Sequence, residues 1–236
     1  MRLNKFLAKS GVASRRKSDE LIQMATTEVN GRVCLDPAYD VTPNDSVYFD
    51  GKIVKPIEDK VVYMLNKPEK VITTVFDTHG RKTVMDYINS KVRITPIGRL
   101  DKQTTGLLLL TNDGDIVNKI LRARNNHEKE YIVHVNKKID TDFVSKMSQG
   151  IPILDTITRP CKVKKIGDYR FKIILTQGLN RQIRRMCEYL GYQVVRLKRI
   201  RIMNINLDLK LGEHRHLRKS ELKELNRLIE PSSKTV

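Results

Sequence analysis

With 236 residues, 45 Lys and Arg against 27 Asp and Glu, and a formal net charge of +18, the chain has room for a small and a larger domain. So basic a balance calls for a polyanionic partner, and nucleic acid is favoured over a membrane because no apolar stretch approaches bilayer length and no single basic amphipathic helix dominates. No apolar signal core follows Arg2, Asn4 and Lys5, and Cys34, Cys161 and Cys187 show neither close pairing nor metal-type spacing, so a cytoplasmic protein with reduced thiols is expected.

Residues 1–56 read as one unit. Leu3, Phe6 and Leu7 recur at helical spacing before Gly11, and Ser14 is placed to cap a second helix that turns Leu21 and Ile22 inward. Asn30-Gly31 and Asp50-Gly51 are hairpin turns among the strand formers Val29, Val33, Val47, Tyr48, Phe49, Ile53 and Val54. Arg2, Lys5, Lys9, Arg15, Arg16, Lys17 and Arg32 gather here, although a charge run alone describes any solvated face. The strings RLNKFLAKSGVASRRKSDELI and EVNGRV resemble the S4-type RNA-binding module. That resemblance implies RNA contacts by Arg2, Lys5, Arg15, Arg16, Lys17 and Arg32.

Lys55-Pro56-Ile57-Glu58-Asp59-Lys60 is the expected linker, and a second domain is expected over 61–232, entered by a strand from Val61 to Leu65 and closed by Asn66-Lys67-Pro68. The stretch from Gly98 to Gly114 sets Asp101 at the mouth of a buried apolar strand, Leu107 to Leu110. Spacing leaves Asp101 as either an exposed turn-capping acid or a partly desolvated carboxylate that needs a cationic partner. Asp115 is expected to cap a helix bearing Ile116, Val117, Ile120 and Leu121. Tyr131, Val133 and Val135, then Phe171, Ile173 and Leu175, alternate as strands. The irregular mixture of strands and helices predicts an α+β fold with a mixed, largely antiparallel sheet flanked by helices. A final amphipathic helix is expected over 220–229, with Pro231 to Lys234 frayed.

Between Asn180 and Gly191, helical spacing puts Ile183, Met186, Cys187 and Leu190 on a core stripe and Arg181, Arg184, Arg185 and Glu188 on another face. Cations at a helix N-terminus oppose its dipole, so either a compensating anion or a solvated basic face follows.

The string GRLDKQTTGLLLLTNDG resembles the signature of the pseudouridine synthases that modify ribosomal RNA, and QGLNRQIRRMCEYLGYQV resembles a further motif of that family. The resemblance implies Asp101 as nucleophile, Arg184 as its ion-pair partner and, through HEKEY, Tyr131 as the stacking and acid/base tyrosine. Without it, Tyr131 is simply a half-buried strand residue. Expected RNA contacts in the second domain are Lys67, Arg99, Arg181, Gln182 and Arg185. Lys70 stands in Leu65-Asn66-Lys67-Pro68-Glu69-Lys70 where the family carries Gly. HEKEY, PCKVKK and TQGLNRQIRRMCE are closest to the large-subunit enzymes, which implies a 23S ribosomal RNA partner; no cofactor, metal or membrane is called for, and a monomer is expected. The implied reaction breaks N1–C1′ of a flipped-out uridine and rejoins the base through C5, with the covalent route left open. Two rivals stand beside it: a non-catalytic RNA-binding assembly factor, and a metal-dependent nuclease using Asp101, Asp113 and Asp115.

Overall fold

The computed structural model describes residues 1–232. It divides into two compact units, Met1–Val61 with Lys91–Arg93, and Val62–Ser90 with Ile94–Val236.

In the first unit, α1 (Leu3–Lys9) and α2 (Arg15–Gln23) precede a four-stranded sheet made of β1 (Thr27–Val29), β2 (Arg32–Val33), β3 (Val47–Phe49) and β4 (Lys52–Ile53) in the order β2-β1-β3-β4. The Ser14 side chain accepts from Lys17 N at 3.2 Å and so caps α2. Both hairpins turn through left-handed pairs, Asn30-Gly31 and Asp50-Gly51, whose twist matches that of paired strands. Leu3, Leu7, Ile22, Val29, Val41 and Val47 form this unit's own core, with Leu21 half-buried at its margin. Residues 54–61 have no regular structure.

The second unit is built on nine strands. They are β5 (Val62–Lys67), β6 (Thr95–Pro96), β7 (Thr104–Thr111), β8 (Lys129–Val135), β11 (Lys162–Gly167), β12 (Arg170–Leu175), β13 (Val194–Ile202), β14 (Ile205–Asn206) and β15 (His214–His216); a separate hairpin pairs β9 (Pro152–Ile153) with β10 (Thr156–Ile157). The sheet order is β11-β12-β8-β13-β7-β5-β15, with β14 beside β13 and β6 beside β7. Among the described pairings only β13 with β7 is parallel, so the sheet is mixed and largely antiparallel. The helices are α3 (Gly114–Leu121), α4 (Thr141–Gln149), α5 (Gln182–Tyr189) and α6 (Lys219–Ile229).

Two cores lie on opposite faces of this sheet. One joins Val133, Phe171, Ile173 and Leu197 to Phe143 and Met147 of α4 and Ile183, Met186 and Cys187 of α5. The other joins Val62, Met64, Leu107 and Leu109 to Ile116 and Ile120 of α3 and Leu225 and Ile229 of α6. Burial pushes the thiols of Cys161 and Cys187 up to about 11 and about 12, so both stay protonated and inert.

Two local expectations need correction. Asp113, not Asp115, caps α3, its carboxylate accepting from Asp115 N at 3.0 Å; the helix begins two residues earlier than expected because Gly114 and Asp115 enter it. The tail is not frayed at Pro231-Ser232, since Ser232 N donates to Ile229 O at 3.1 Å and Ser232 Oγ hydrogen-bonds His127 Nε2 at 2.8 Å. Ser233 and Lys234 lie outside the described residues.

Candidate active site

Asp101 occupies the loop between β6 and β7, ahead of four fully buried leucines, Leu107 to Leu110. The loop is pinned beside Asp101 on both flanks. Thr73 Oγ1 donates to Leu100 O at 2.8 Å and accepts from Leu100 N at 3.2 Å, while Lys70 N donates to Lys102 O at 2.8 Å. Thr104 N closes the turn on Asp101 O at 2.9 Å. Fixing the backbone on each side of a carboxylate removes much of the entropy that its alignment would otherwise cost.

The bracing turn has its own support. Lys67 is fully buried and its ammonium donates to Pro68 O and Val71 O, both at 2.7 Å. Lys70 adopts φ +67°, a left-handed conformation that Gly takes freely and Lys only at a cost of about 1 kcal/mol.

Arg184 and Tyr131 line the same pocket as Asp101, a cavity of about 360 Å³ that also includes Arg99, Thr104, Lys129, Arg181 and Arg199. Arg184 is 6% exposed, so α5 turns it inward instead of presenting it on an open basic ridge with Arg181 and Arg185. Its guanidinium donates to Val194 O at 3.1 Å and Gln103 O at 3.3 Å. The expected ion pair between Arg184 and Asp101 is therefore not closed: the fork is spent on two carbonyls, and the two charges interact through space. The Asp101 carboxylate itself makes no hydrogen bond or ion pair among the described residues. Tyr131, half-buried on β8, stands opposite Arg199 of β13 in the register.

Two other assigned positions differ from expectation. Lys67 is sealed under its turn and cannot reach a phosphate, although its charge still acts on Asp101. Gln182 is 4% exposed, and its Oε1 accepts from Leu179 N at 3.1 Å, which ties down the approach to α5. Arg99 and Arg181 are exposed, while Arg185 is half-buried against Asn180. In the first unit Arg2, Arg15, Arg16, Lys17 and Arg32 are exposed and Lys5 is half-buried; Lys17 pairs with Glu20 at 2.7 Å.

Lys129 and Arg199 were missed from sequence. Lys129 sits two residues before Tyr131 in the same strand and so on the same face, a signal that period-two spacing carries. Arg199 is 3% exposed and donates Nε to Leu107 O at 2.7 Å. Arg184 Nε, Arg199 Nη2 and Thr104 Oγ1 are buried polar atoms without a partner among the described residues, and the residues that carry them line the pocket. Such atoms cost free energy until something polar meets them. Asp113 is occupied as a helix cap, and among the described residues no group of three or more His, Cys, Asp or Glu lies together as a possible metal site.

Burial lowers the Lys129 ammonium to about 8, with Arg199 pushing the same way; burial also lowers Lys67 to about 8, against the pull of Asp101 and Glu69. Both are still largely charged at neutral pH. Lys129 has a folded-state pKa below its unfolded value, so between about 8 and 10.5 the unfolded chain holds more protons and stability gains with rising pH. Lys129→Met is expected to be more stable than the parent at pH 7 by on the order of 2 kcal/mol, with the gap closing by pH 10. Its turnover should fall. Denaturant unfolding of the two proteins across that range checks the sign, and parallel curves would refute it.

The sequence profile of the RNA pseudouridylate synthase family matches residues 61–189, and that of the S4 domain matches residues 1–47. The dual-specificity RNA pseudouridine synthase RluF of Escherichia coli strain K12 is 48% identical over 239 residues, covering all of this chain and 82% of that protein. The ribosomal large subunit pseudouridine synthase B of Bacillus subtilis is 38% identical, with 97% of each chain covered. A crystal structure of a pseudouridylate synthase superposes with a TM-score of 0.71 at 28% identity, over 95% of this chain and 99% of that one. No helix among the described residues is long and apolar enough to cross a membrane. A profile over more than half of the chain, relatives matched along almost its full length and a pocket built around Asp101 agree: this chain belongs to the RNA pseudouridylate synthase family.

Proposed function

We propose that the chain isomerises a specific uridine to pseudouridine in the 23S RNA of the large ribosomal subunit, as a cytoplasmic monomer without cofactor or metal. Residues 1–56 dock the RNA and residues 61–232 perform the chemistry. The observation that carries this reading is the pinned loop that presents an unencumbered Asp101 carboxylate to a pocket lined by cations.

Asp101 is the nucleophile. Its neighbours Arg184 and Lys67 set positive charge beside it, and among the described residues no hydrogen bond occupies the lone pairs of the carboxylate. The uridine must leave its stack to reach the pocket, where Tyr131 offers a ring face and Thr104, Arg184 and Arg199 line the wall. These contacts also retain the freed base while it rotates from N1 to C5. Arg99, Arg181 and Arg185 at the pocket, with Arg2, Lys5, Arg15, Arg16, Lys17 and Arg32 of the first unit, take phosphates.

Mapping pseudouridines in ribosomal RNA from cells with and without the protein tests the function directly. Loss of one large-subunit site is expected, and purified protein should restore it in the presence of a chelator. An unchanged map would refute the assignment.

Arg184→Lys should lower turnover by about 10–100-fold, because an ammonium cannot hold Val194 O and Gln103 O together as the planar fork does. Stability should drop by about 1–3 kcal/mol as a buried carbonyl loses its donor. Native turnover by this variant would remove Arg184 from the positioning of the loop.

A further inference from the structure

The face of the large sheet turned away from the pocket is half covered and half bare. On β7 and β5 it carries Leu107, Leu109, Val62 and Met64, which α3 and α6 bury. On β11, β12, β8 and β13 the same face has no helix over it, and its side chains are cations in two cross-strand rows. Lys164, Lys172, Ile132 and Lys198 follow one another across four strands, and Arg170, His134 and Arg196 across three. Lys164, Arg170, Arg196 and Lys198 are exposed, and none has an ion pair or hydrogen bond to its side chain among the described residues. The next row is neutralised internally: Glu130 pairs with Lys172 and Arg201, and Glu128 with Arg201 and Lys162.

From this grid we infer a second RNA-docking surface, one that holds the phosphate backbone on the side of the sheet opposite the pocket. The inference rests on the RNA-modifying function proposed above and extends it to where a long substrate runs. Lys164 stands directly opposite Lys172, and Arg196 lies two residues from Lys198 on one strand, so like charges crowd this face while none of the four exposed cations has an anionic partner within the described chain. With strands about 4.8 Å apart, the four lie within roughly 14 by 7 Å, a density suited to several phosphates of one backbone. Apart from the half-buried His134 imidazole the rows contain no aromatic ring for stacking, and they hold no amide or carboxylate for reading base edges, so the surface positions RNA with little sequence preference. Between the cations lie only Ile132 and His134, half-buried and without the protruding apolar groups a bilayer would take up. His134 reports the local field: burial first, then Arg170 and Arg196 on either side, hold its imidazole below the ordinary value.

The test uses the full chain with Lys164→Gln, Arg170→Gln, Arg196→Gln and Lys198→Gln combined, all exposed positions outside the pocket. Two substrates are compared, intact ribosomal RNA and the short stem-loop around the mapped uridine, which fills the pocket but cannot extend to the opposite face. Affinity for the intact RNA should fall at least tenfold at moderate salt, and its logarithmic salt dependence should flatten by about 3. Turnover of the stem-loop should be unchanged. Unchanged binding of intact RNA, or an equal loss on both substrates, would overturn the proposal. So would loss of binding to phosphatidylglycerol vesicles with RNA affinity intact, which would assign the grid to a membrane. If the parent protein fails to modify either substrate, the functional assignment falls, while the binding comparison still reads the grid.

Discussion

Asp101→Asn is expected to abolish turnover, by on the order of 10⁴-fold or more, while leaving the fold and the affinity for RNA intact. The structure makes the second half of that expectation sharp. A carboxylate with no hydrogen bond and no ion pair contributes little to stability, so its near-isostere should shift the melting temperature by no more than a degree or two. The loop itself is held by backbone groups of Leu100, Lys102 and Gln103, none of which the substitution touches. RNA affinity should hold or improve, since one negative charge leaves a pocket lined by Arg99, Lys129, Arg181, Arg184 and Arg199. Tritium release from RNA labelled at uridine C5 measures turnover, and filter binding measures affinity on the same preparation. Substantial release by the variant would remove Asp101 as nucleophile. A collapse of stability would show that its carboxylate has a structural partner.

The features legible in sequence are those whose causes are local. Ser14 caps α2 because an N-cap needs only the next turn, and Asn30-Gly31 and Asp50-Gly51 make hairpins because two left-handed residues suffice. The alternation of Phe171, Ile173 and Leu175 gave both a strand and its buried face. What escaped is non-local. Arg184 shares a helical face with Arg181 in any periodicity plot, yet its fork is fixed by Gln103, 81 residues earlier, and only the packing of α5 over β13 makes it a buried residue. Lys67 looked like a phosphate ligand because nothing in its own string shows that the turn from Pro68 to Val71 folds over it. The cationic grid draws Lys164, Arg170, His134, Arg196 and Lys198 from four strands, and no single strand reveals it. Between Asp113 and Asp115 the choice of cap was a matter of two residues, decided by Gly114 entering the helix.

Gly106→Ala is expected to cost more stability than any other single methyl group added to the second unit. Gly106 lies in β7 where this strand runs parallel to β13, paired with Arg199, and its φ of +107° is one that L side chains rarely adopt. A Cβ there would sit 2.2 Å from Arg199 O and 2.7 Å from Arg199 N, so the obstacle is backbone that cannot rotate aside. Left-handed strain alone costs about 1–2 kcal/mol, and overpacking a rigid contact adds about 1–3 kcal/mol or more. Together these come to about 2–5 kcal/mol, a large share of the stability of a domain held by about 5–15 kcal/mol. The damage would also reach the chemistry, because parting β7 from β13 moves Thr104 and the loop behind Asp101 and frees Arg199 from Leu107 O. Gly114→Ala, where an added Cβ meets nothing within 4 Å, is the matched control. Denaturant unfolding should place Gly106→Ala at least about 3 kcal/mol below the parent and the control within about 1 kcal/mol of it. The expectation fails if both variants unfold at the parent's midpoint. Turnover per folded molecule should fall for Gly106→Ala alone, since the glycine holds the strand whose entrance carries the nucleophile.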